Sequence, residues 1–341
     1  MTLQQQEAAA VAAADLRTES MNCQRAVRSA MENALDADQR VLVLGEDVAD
    51  PPGGVIGTTK GLSTQFGPHR VRATPIAEQA IIGAAIGASL AGYRPVAEIM
   101  FCDFLAVCAD QIANHAAKLR YMSGGETPVP ITVTTFVAGG RFGAQHTQSL
   151  ETWFMHTPGM KVVMPSNALD AKGLLSSCIA DDDPCLFIQP LALMFAPKID
   201  VPFDRYTVPL GKAATLRDGK DVTIVSYGVQ VPEALAAADA LAEEGIRAEV
   251  LDLRSLVPLD METVLTSAGR TGRVVITHGA TEFCGPGAEI ATQIYDEMFD
   301  GLKAPVARVA APYAPMPFAP KISFLPTGQD IAAAARRAVK S

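Results

Sequence analysis

Short apolar runs alternate with helix-like segments along most of the chain from residue 21 onward. The apolar runs end in glycine or polar turns, as in RVLVLGEDV, PITVTTFVAGG and KVVMPS. Runs of this kind are typical of buried strands. Between them, small and apolar residues recur at helical spacing, for example at Ala26, Ala30 and Ala34. The alternation predicts an α/β fold in which mostly parallel sheets are covered by helices on both faces.

Two of the predicted helices have distinctive sequences. Residues 78–92 place Gly83, Gly87 and Ala91 four positions apart, and this spacing gives a flat face suited to close helix packing. Residues 103–125 are predicted to form one long helix that ends at a pair of glycines.

The alternation is interrupted once, and the interruption predicts a division into two α/β domains. Residues 196–220 are rich in proline and charge and lack a clear period, so we interpret them as a linker. The first domain is predicted to span residues 21–195 and the second residues 221–341, with residues 1–20 as a helical or frayed extension. Because ligands of such sheets bind beyond the carboxyl ends of the strands, the glycine-rich segments after the strands are expected to carry the chemistry.

Composition and charge exclude several classes of protein. Hydrophobic residues make up 49% of the 341 residues and charged residues 19%, which is enough for two buried cores. The net charge is −9 and no basic stripe is visible, so nucleic acid is not an expected partner. The six cysteines form no CxxC pair, and we expect buried thiols.

The sequence shows no targeting signal, and this predicts a cytoplasmic location. No apolar run reaches the roughly 18 residues of a membrane helix. The first 20 residues lack the positive and apolar regions of a signal peptide. A cytoplasmic protein without membrane contact is therefore expected.

Familiar cofactor motifs are missing from the sequence. It contains no GxxxxGK[ST] loop, no GxGxxG that opens a helix and no HExxH. A simple nucleotide enzyme is thereby disfavoured. A negatively charged chain that bound a diphosphate would need a metal ion or another subunit to neutralise it.

Glu78 is a candidate for acid–base chemistry because it opens the helix of small residues. An acidic residue in the first turn also commonly complements the helix dipole, and this alternative stays open. The functional interpretation is a carboxylate beside an apolar pocket that shares a proton with a ligand nitrogen.

Aromatic residues and a histidine are further candidates. Phe101 and Phe104 lie where a strand turns into a helix, and either offers a face for a planar ligand, although both could be ordinary core residues. His146 lies between glycine-rich loops and is a plausible acid or base, although a lone loop histidine is often neither.

Many linked motifs resemble those of the β subunits of thiamine-diphosphate-dependent 2-oxo acid dehydrogenases and of their relatives that act on acetoin. The resemblance covers about residues 20–335 and rests on GEDV, GGVIGTTKGL, TPIAEQAIIGAAIG, RPVAEIMFCDF, QHTQSLE, PGMKVVMPS and VLDLRSLVPLD. It implies a pyrimidine-binding domain followed by a transketolase C-terminal-like domain. It also implies a heterotetramer of two α and two β subunits, with thiamine diphosphate at the α/β interface, and a lipoyl-bearing acyltransferase as a further partner.

The resemblance assigns roles to matching residues. Glu78 corresponds to the carboxylate that hydrogen-bonds the aminopyrimidine ring, and Phe104 to the aromatic residue that packs on that ring. His146 corresponds to the histidine that faces the substrate and the incoming lipoyl group. The diphosphate and its Mg²⁺ would be held mainly by the α subunit, whose GDG-type motif this chain lacks.

A possible potassium site is implied in the turn that follows the DAKGLLSSCIA segment. There, Cys178, Asp181 and Asp183 resemble the ligands of a structural K⁺ ion, and an oxygen-rich loop suits a hard cation. An ordinary acidic turn between a helix and a strand is the alternative.

Substrate and partner are less closely specified by the sequence. The family usually has glutamate where this chain has Gln189 and where it has Gly279, and these departures concern the substrate or the partner surface. Some motifs resemble the acetoin branch and others the branched-chain branch. Two alternatives stay open: a carboligase subunit that forms an acyloin without a lipoyl partner, and a structural pseudo-subunit.

Overall fold

Residues 17–139, 142–319 and 321–341 are described by the structure, a computed structural model. The chain divides into two units. The described part of the first comprises residues 17–138 and 145–210, and the second comprises residues 211–341 with a short segment near Gly139. Of the predicted extension at residues 1–20, residues 1–16 lie outside the described residues.

The first unit is built on a parallel sheet, as the apolar runs predict. Its strands lie in the order β6-β7-β5-β4-β2-β3, and each neighbouring pair is parallel. Their bounds are Val41–Gly45 (β2), Val71–Ala73 (β3), Arg94–Phe101 (β4), Thr132–Val137 (β5), Lys161–Val163 (β6) and Cys185–Pro190 (β7). Register pairs Gly45 with Glu98 and Phe101 with Phe136, so the carboxyl ends of β2, β4 and β5 share one edge.

Helices cover this sheet. They are Cys23–Ala37 (α1), Leu62–Phe66 (α2), Glu78–Leu90 (α3), Ala117–Met122 (α4), Glu151–Met155 (α5) and Ala168–Ala180 (α6). Helix α1 begins at Asn22, whose side chain accepts a hydrogen bond from the backbone N–H of Arg25. It buries Ala26, Ala30 and Ala34 in the same core as α6, which confirms the predicted four-residue spacing of its inner face.

The long helix predicted over residues 103–125 is shorter than expected and is not uniformly α-helical. Residues Cys102–Ala106 form a 3₁₀ turn, and a helix that begins at residue 109 passes through a π-helical stretch at Gln111–Ala116 into the α-helix Ala117–Met122 (α4). These helix types differ in which carbonyl each N–H reaches, and apolar spacing does not encode that choice. The 3₁₀ turn directly continues β4 and therefore fixes where Asp103 and Phe104 lie.

Residues outside the predicted strands also form a small sheet in the first unit. Strand β1 (Thr18–Met21) pairs antiparallel with β8 (Ile199–Pro202). Residues 18–20 of β1 belong to the predicted extension, and β8 lies within residues 196–220, the predicted linker.

The second unit has a smaller sheet in the order β14-β13-β10-β11-β9, parallel except for the β9–β11 pair. Its strands are Ala214–Arg217 (β9), Val222–Ser226 (β10), Ala248–Asp252 (β11), Val274–Thr281 (β13) and Ala307–Ala311 (β14), with Ser255–Val257 (β12) as a short further strand. Its helices are Val231–Glu243 (α7), Met261–Thr271 (α8), Pro286–Met298 (α9) and Gly328–Lys340 (α10).

Cysteines are distributed unevenly between the units. Five are buried and belong to the first unit, and Cys284 of the second unit is exposed; the buried ones are Cys23, Cys102, Cys108, Cys178 and Cys185. All six are free thiols. No helix in the described part of the chain is long and apolar enough to cross a membrane.

Candidate active site

The carboxyl end of β4 carries two aromatic rings in contact. Phe101 is the last residue of the strand and is 7% exposed, whereas Phe104 follows in the 3₁₀ turn and is half-buried. Their centroids lie 6.3 Å apart and the rings meet edge to face at 75°. The turn therefore leaves Phe104 partly accessible beside a buried Phe101.

His146 completes a cluster of three rings with these phenylalanines. Its ring centroid lies 5.3 Å from that of Phe101 and 5.4 Å from that of Phe104, with interplanar angles of 86° and 88°. Aromatic packing thus orients the imidazole. No described residue is hydrogen-bonded to its ring nitrogens, so they stay available to a ligand. The sequence predicted all three residues, and the structure brings them together.

Asp103 lies in the same turn, between the two phenylalanines, and is 7% exposed. Its Oδ1 accepts hydrogen bonds from the backbone N–H of Gln148 at 3.3 Å and from the Gln148 side chain at 2.8 Å. The sequence analysis did not identify either residue. The only signal for Asp103 was its place inside the FCDF motif.

Glu78 is the first residue of α3 and is half-buried. Burial and, to a smaller extent, the negative charge on Glu78 together raise the pKa of the Cys108 thiol to about 12. The Cys108 thiol in turn donates to the carbonyl oxygen of Phe104 at 3.8 Å. Glu78 therefore lies within electrostatic reach of the turn that carries Phe104.

The sequence analysis missed two further carboxylates, Glu46 beside Glu78 and Glu98 beside Glu46. Burial and the negative charge on Glu78 raise the pKa of Glu46, which directly follows β2. Burial also raises the pKa of Glu98 to about 7; the Thr58 hydroxyl acts in the opposite direction, and Glu46 adds to the increase. The carboxylate oxygens of Glu98 have no hydrogen-bond partner among the described residues.

Gly45 allows this arrangement because it lies directly beside Glu98. A Cβ atom at Gly45 would come within 2.8 Å of the Glu98 carbonyl oxygen and 3.0 Å of its Cβ. Glycine is therefore required where β2 ends and the acidic GEDV motif begins.

The chemistry of the site suits one half of thiamine diphosphate. A carboxylate and partly exposed aromatic rings match the needs of a planar aminopyrimidine, which offers ring nitrogens and a π face. The residues gathered here are acidic or aromatic, apart from His146, and so suit that ring better than a diphosphate.

Comparisons with known proteins agree with this geometry. Residues 19–194 match the model of the transketolase pyrimidine-binding domain, and residues 211–331 match that of the transketolase C-terminal domain. The chain is 47% identical over 320 residues to the β subunit of an acetoin:2,6-dichlorophenolindophenol oxidoreductase from Bacillus subtilis, with coverage of 90% of this chain and 93% of that one. It is 45% identical over 327 residues to the corresponding subunit from Cupriavidus necator, with coverage of 92% and 96%. The 2-oxoisovalerate dehydrogenase β subunit of Pseudomonas aeruginosa is 43% identical over 338 residues, with coverage of 94% and 95%.

The chain belongs to the β-subunit family of thiamine-diphosphate-dependent 2-oxo acid and acetoin dehydrogenases. This confirms the family and the fold that the sequence motifs indicated. Split gene transketolase, solved as an inactive "beta4 tetramer", shares the fold with a TM-score of 0.78 at 25% identity, over 94% of this chain and 99% of that one. The relatives support the dehydrogenase interpretation and not the carboligase alternative.

The turn predicted to bind potassium is occupied by cationic side chains in this β subunit. Lys161 Nζ lies 2.6 Å from both carboxylate oxygens of Asp181 and 3.5 Å from Asp183. Arg94 donates to the carbonyl oxygens of Ile179 and Asp181 at 3.1 and 2.9 Å. The Cys178 carbonyl accepts from the backbone N–H of Asp181 at 3.3 Å. The potassium site therefore stays a prediction, with Lys161 and Arg94 beside the oxygens that would bind the ion.

Among residues 17–139, 142–319 and 321–341, no group of three or more His, Cys, Asp and Glu side chains is placed to hold a metal ion.

The two positions that depart from the family pattern lie outside the ring cluster. Gln189 is fully buried near the end of β7, and Gly279 lies in β13 of the second unit.

Proposed function

We propose that this chain is the β half of a heteromeric enzyme that cleaves a carbon–carbon bond in a 2-oxo acid or in acetoin and passes the acyl group to a lipoyl domain. The observation that carries the proposal is the cluster of Phe101, Phe104 and His146 at the end of β4, with Glu78 within electrostatic reach. Family membership supplies the class of reaction.

Glu78 acts as the proton-exchanging carboxylate toward the aminopyrimidine nitrogen, and Phe104 packs against the ring. The half-buried position of Glu78 supports this role, because water is partly excluded while the carboxylate still reaches a ligand. Thiamine diphosphate, when bound, supplies a nucleophilic carbon and an electron sink for the cleaved bond. Phe101 is almost fully buried and packs against the rings of Phe104 and His146.

His146 acts at the acyl-transfer step. When a lipoyl disulfide opens, negative charge develops on the departing sulfur, and a protonated imidazole beside it can donate a proton there. The uncommitted ring nitrogens of His146 support this assignment, since neither is tied to another described residue.

The α subunit is assigned the diphosphate and its Mg²⁺, because the site residues of this chain are acidic and aromatic. The active unit is a heterotetramer of two α and two β subunits. The split gene transketolase described as an inactive tetramer of β chains supports the view that a β half alone does not turn over.

Acetoin is the first substrate to test. The two relatives named for acetoin are 47% and 45% identical to this chain, against 43% for the one named for 2-oxoisovalerate. These values differ by little, so pyruvate and branched-chain 2-oxo acids belong in the same assay.

Co-expression with an α subunit and assay against this panel tests the proposal. Each substrate is supplied with thiamine diphosphate and Mg²⁺, and turnover is followed both by reduction of 2,6-dichlorophenolindophenol and by acylation of a lipoyl domain. The complex is expected to show both activities, and the purified β chain neither. Turnover by the β chain alone, or dye reduction without any lipoyl acylation, would contradict the proposal.

A further inference from the structure

We infer that Asp103 is a positioning residue for His146, which it holds in place by anchoring Gln148 two residues further along the chain. The inference rests on the proposed role of His146 and deepens it. Asp103 itself touches no reacting atom in this account.

The two oxygens of the Asp103 carboxylate differ in their hydrogen bonds. Both hydrogen bonds from Gln148 end on Oδ1, at 3.3 Å from the backbone N–H and 2.8 Å from the side chain. The other oxygen, Oδ2, is buried and accepts no hydrogen bond from any residue that the structure describes. Both hydrogen bonds to this buried carboxylate therefore come from the segment that carries His146.

The turn after β4 contacts the His146 loop at two points. Phe101 and Phe104 pack against the His146 ring, and Asp103, between them in sequence, binds Gln148. The ring contacts restrain the imidazole only through steric packing. The hydrogen bonds from Gln148 to Asp103 also restrain the backbone of the loop that carries His146. Loss of that second point should let the imidazole drift, and a displacement of about 1 Å can cost up to roughly 100-fold in rate.

Substitutions at Asp103 separate the acceptor from the charge. Asp103→Asn keeps an oxygen able to accept both hydrogen bonds, so it should retain most of the activity. Asp103→Ala removes that oxygen, and lipoyl acylation should fall about 10- to 100-fold while dye reduction falls less than about threefold. Asp110→Ala, which removes an exposed carboxylate bonded to Asn114 rather than to Gln148, is the matched control and should change neither rate.

A double-mutant cycle in the α/β complex tests whether Asp103 acts through His146. If it does, adding Asp103→Ala to His146→Ala should cause no further loss of lipoyl acylation. Multiplying losses would overturn the inference, as would equal losses in Asp103→Asn and Asp103→Ala. Should Asp103→Ala fail to fold, Gln148→Ala removes the 2.8 Å bond from the exposed partner and should give a smaller loss in the same direction.

A chemical readout separates this inference from the proposed function. Carbethoxylation of His146 by diethylpyrocarbonate, quantified by peptide mass spectrometry, is compared with that of the exposed His69 and His156 in the same chain. Asp103→Ala should raise the relative reactivity of His146, and Asp103→Asn should not. Unchanged reactivity in Asp103→Ala would overturn the positioning role. A wild-type complex that acylates no lipoyl domain would instead refute the proposed function, and the carbethoxylation result would still stand.

Discussion

His146 and His278 are histidines of the two different units, and their surroundings differ in nearly every respect. His278 is fully buried: its Nδ1 donates to the Ala280 carbonyl at 3.1 Å, and its Nε2 accepts from the backbone N–H of Gly287 at 3.1 Å. Burial lowers the pKa of His278 to about 4. His146 is half-buried, and its ring packs edge to face against two phenylalanine rings. The comparison teaches that a histidine is available for proton transfer only where its nitrogens are not committed to the backbone.

Buried carboxylates show the same contrast. In the second unit, Glu249 accepts hydrogen bonds from Ser267 and from Arg270, and Thr223 extends the network. In the first unit, Glu98 is equally buried, yet no described residue is hydrogen-bonded to its carboxylate. Unpaired buried polar groups are costly and gather at functional sites. Among the described residues, Glu98 of the first unit is thus less well satisfied than Glu249 of the second.

Glu78→Gln should produce the largest effect and is the sharpest test of this contrast. The amide keeps the shape of the side chain but cannot take up a proton. Deuterium exchange at the thiazolium carbon of the bound cofactor should therefore slow by roughly 10²–10⁴-fold in the α/β complex. Glu289→Gln, the same change in the first turn of α9 in the second unit, serves as the control and should have no effect. Equal exchange rates in the Glu78 variant and the wild type would refute the assignment.

His146→Ala should affect the two assays differently. Acylation of a lipoyl domain should fall by roughly 100-fold, because the proton donor to the departing sulfur is lost. Reduction of 2,6-dichlorophenolindophenol bypasses that step and should fall far less. Both rates are measured on one preparation of the α/β complex. Parallel losses would place His146 at an earlier step, in carbonyl addition or bond cleavage.

The sequence predicted the family, the fold and the three residues of the ring cluster, because each lies in a motif at a strand end. The sequence analysis did not predict helices α8 and α10, although each begins at a residue that typically caps a helix. Asp260 caps α8, and Thr327 forms a capping box with Asp330 at the start of α10. Closer attention to capping residues would have identified both helices.

Other features lay beyond any local signal. Asp103 and Gln148 are 45 positions apart, and β1 pairs with β8 across about half the chain. Neither contact follows from periodicity or from a motif, because it depends on where the intervening strands place the two segments. The cationic contacts of the turn at Asp181 escaped prediction for the same reason, since Lys161 and Arg94 come from other strands.

Acid should destabilise the second unit through His278. In the folded state its pKa is about 4, and the ordinary value is 6.5. Between these values the unfolded chain binds the extra proton, so the free energy of unfolding falls as pH drops from about 6.5 through 4, by about 3 kcal/mol in total. His278→Gln carries no titrating group and should lose this part of the pH dependence. Thermal unfolding of both proteins across that range measures it, and identical slopes would show that His278 does not control it.

Glu98 should make the free energy of unfolding depend on pH with the opposite sign to His278, and at higher pH. Its folded-state pKa is about 7 against an ordinary value of 4.5, so the folded chain retains the proton that the unfolded chain releases. Stability is therefore lost as pH rises from about 4.5 through 7. Glu98→Gln should stabilise the protein above pH 7 by up to about 3 kcal/mol and change little at pH 4. A Gln variant no more stable than the wild type at pH 8 would show that water or a partner solvates the carboxylate.

The distribution of thiols gives the molecule a built-in reporter of local opening. Burial raises the pKa values of Cys23, Cys102 and Cys108. The reactive thiolate form of these cysteines is therefore scarce while they stay buried. Cys102 and Cys108 flank the turn that bears Asp103 and Phe104. With Cys284 exposed in the other unit, a thiol reagent should modify one site at once and the remaining sites only when the first unit opens. The rate at which each buried cysteine is labelled therefore measures how often the region around the candidate active site opens.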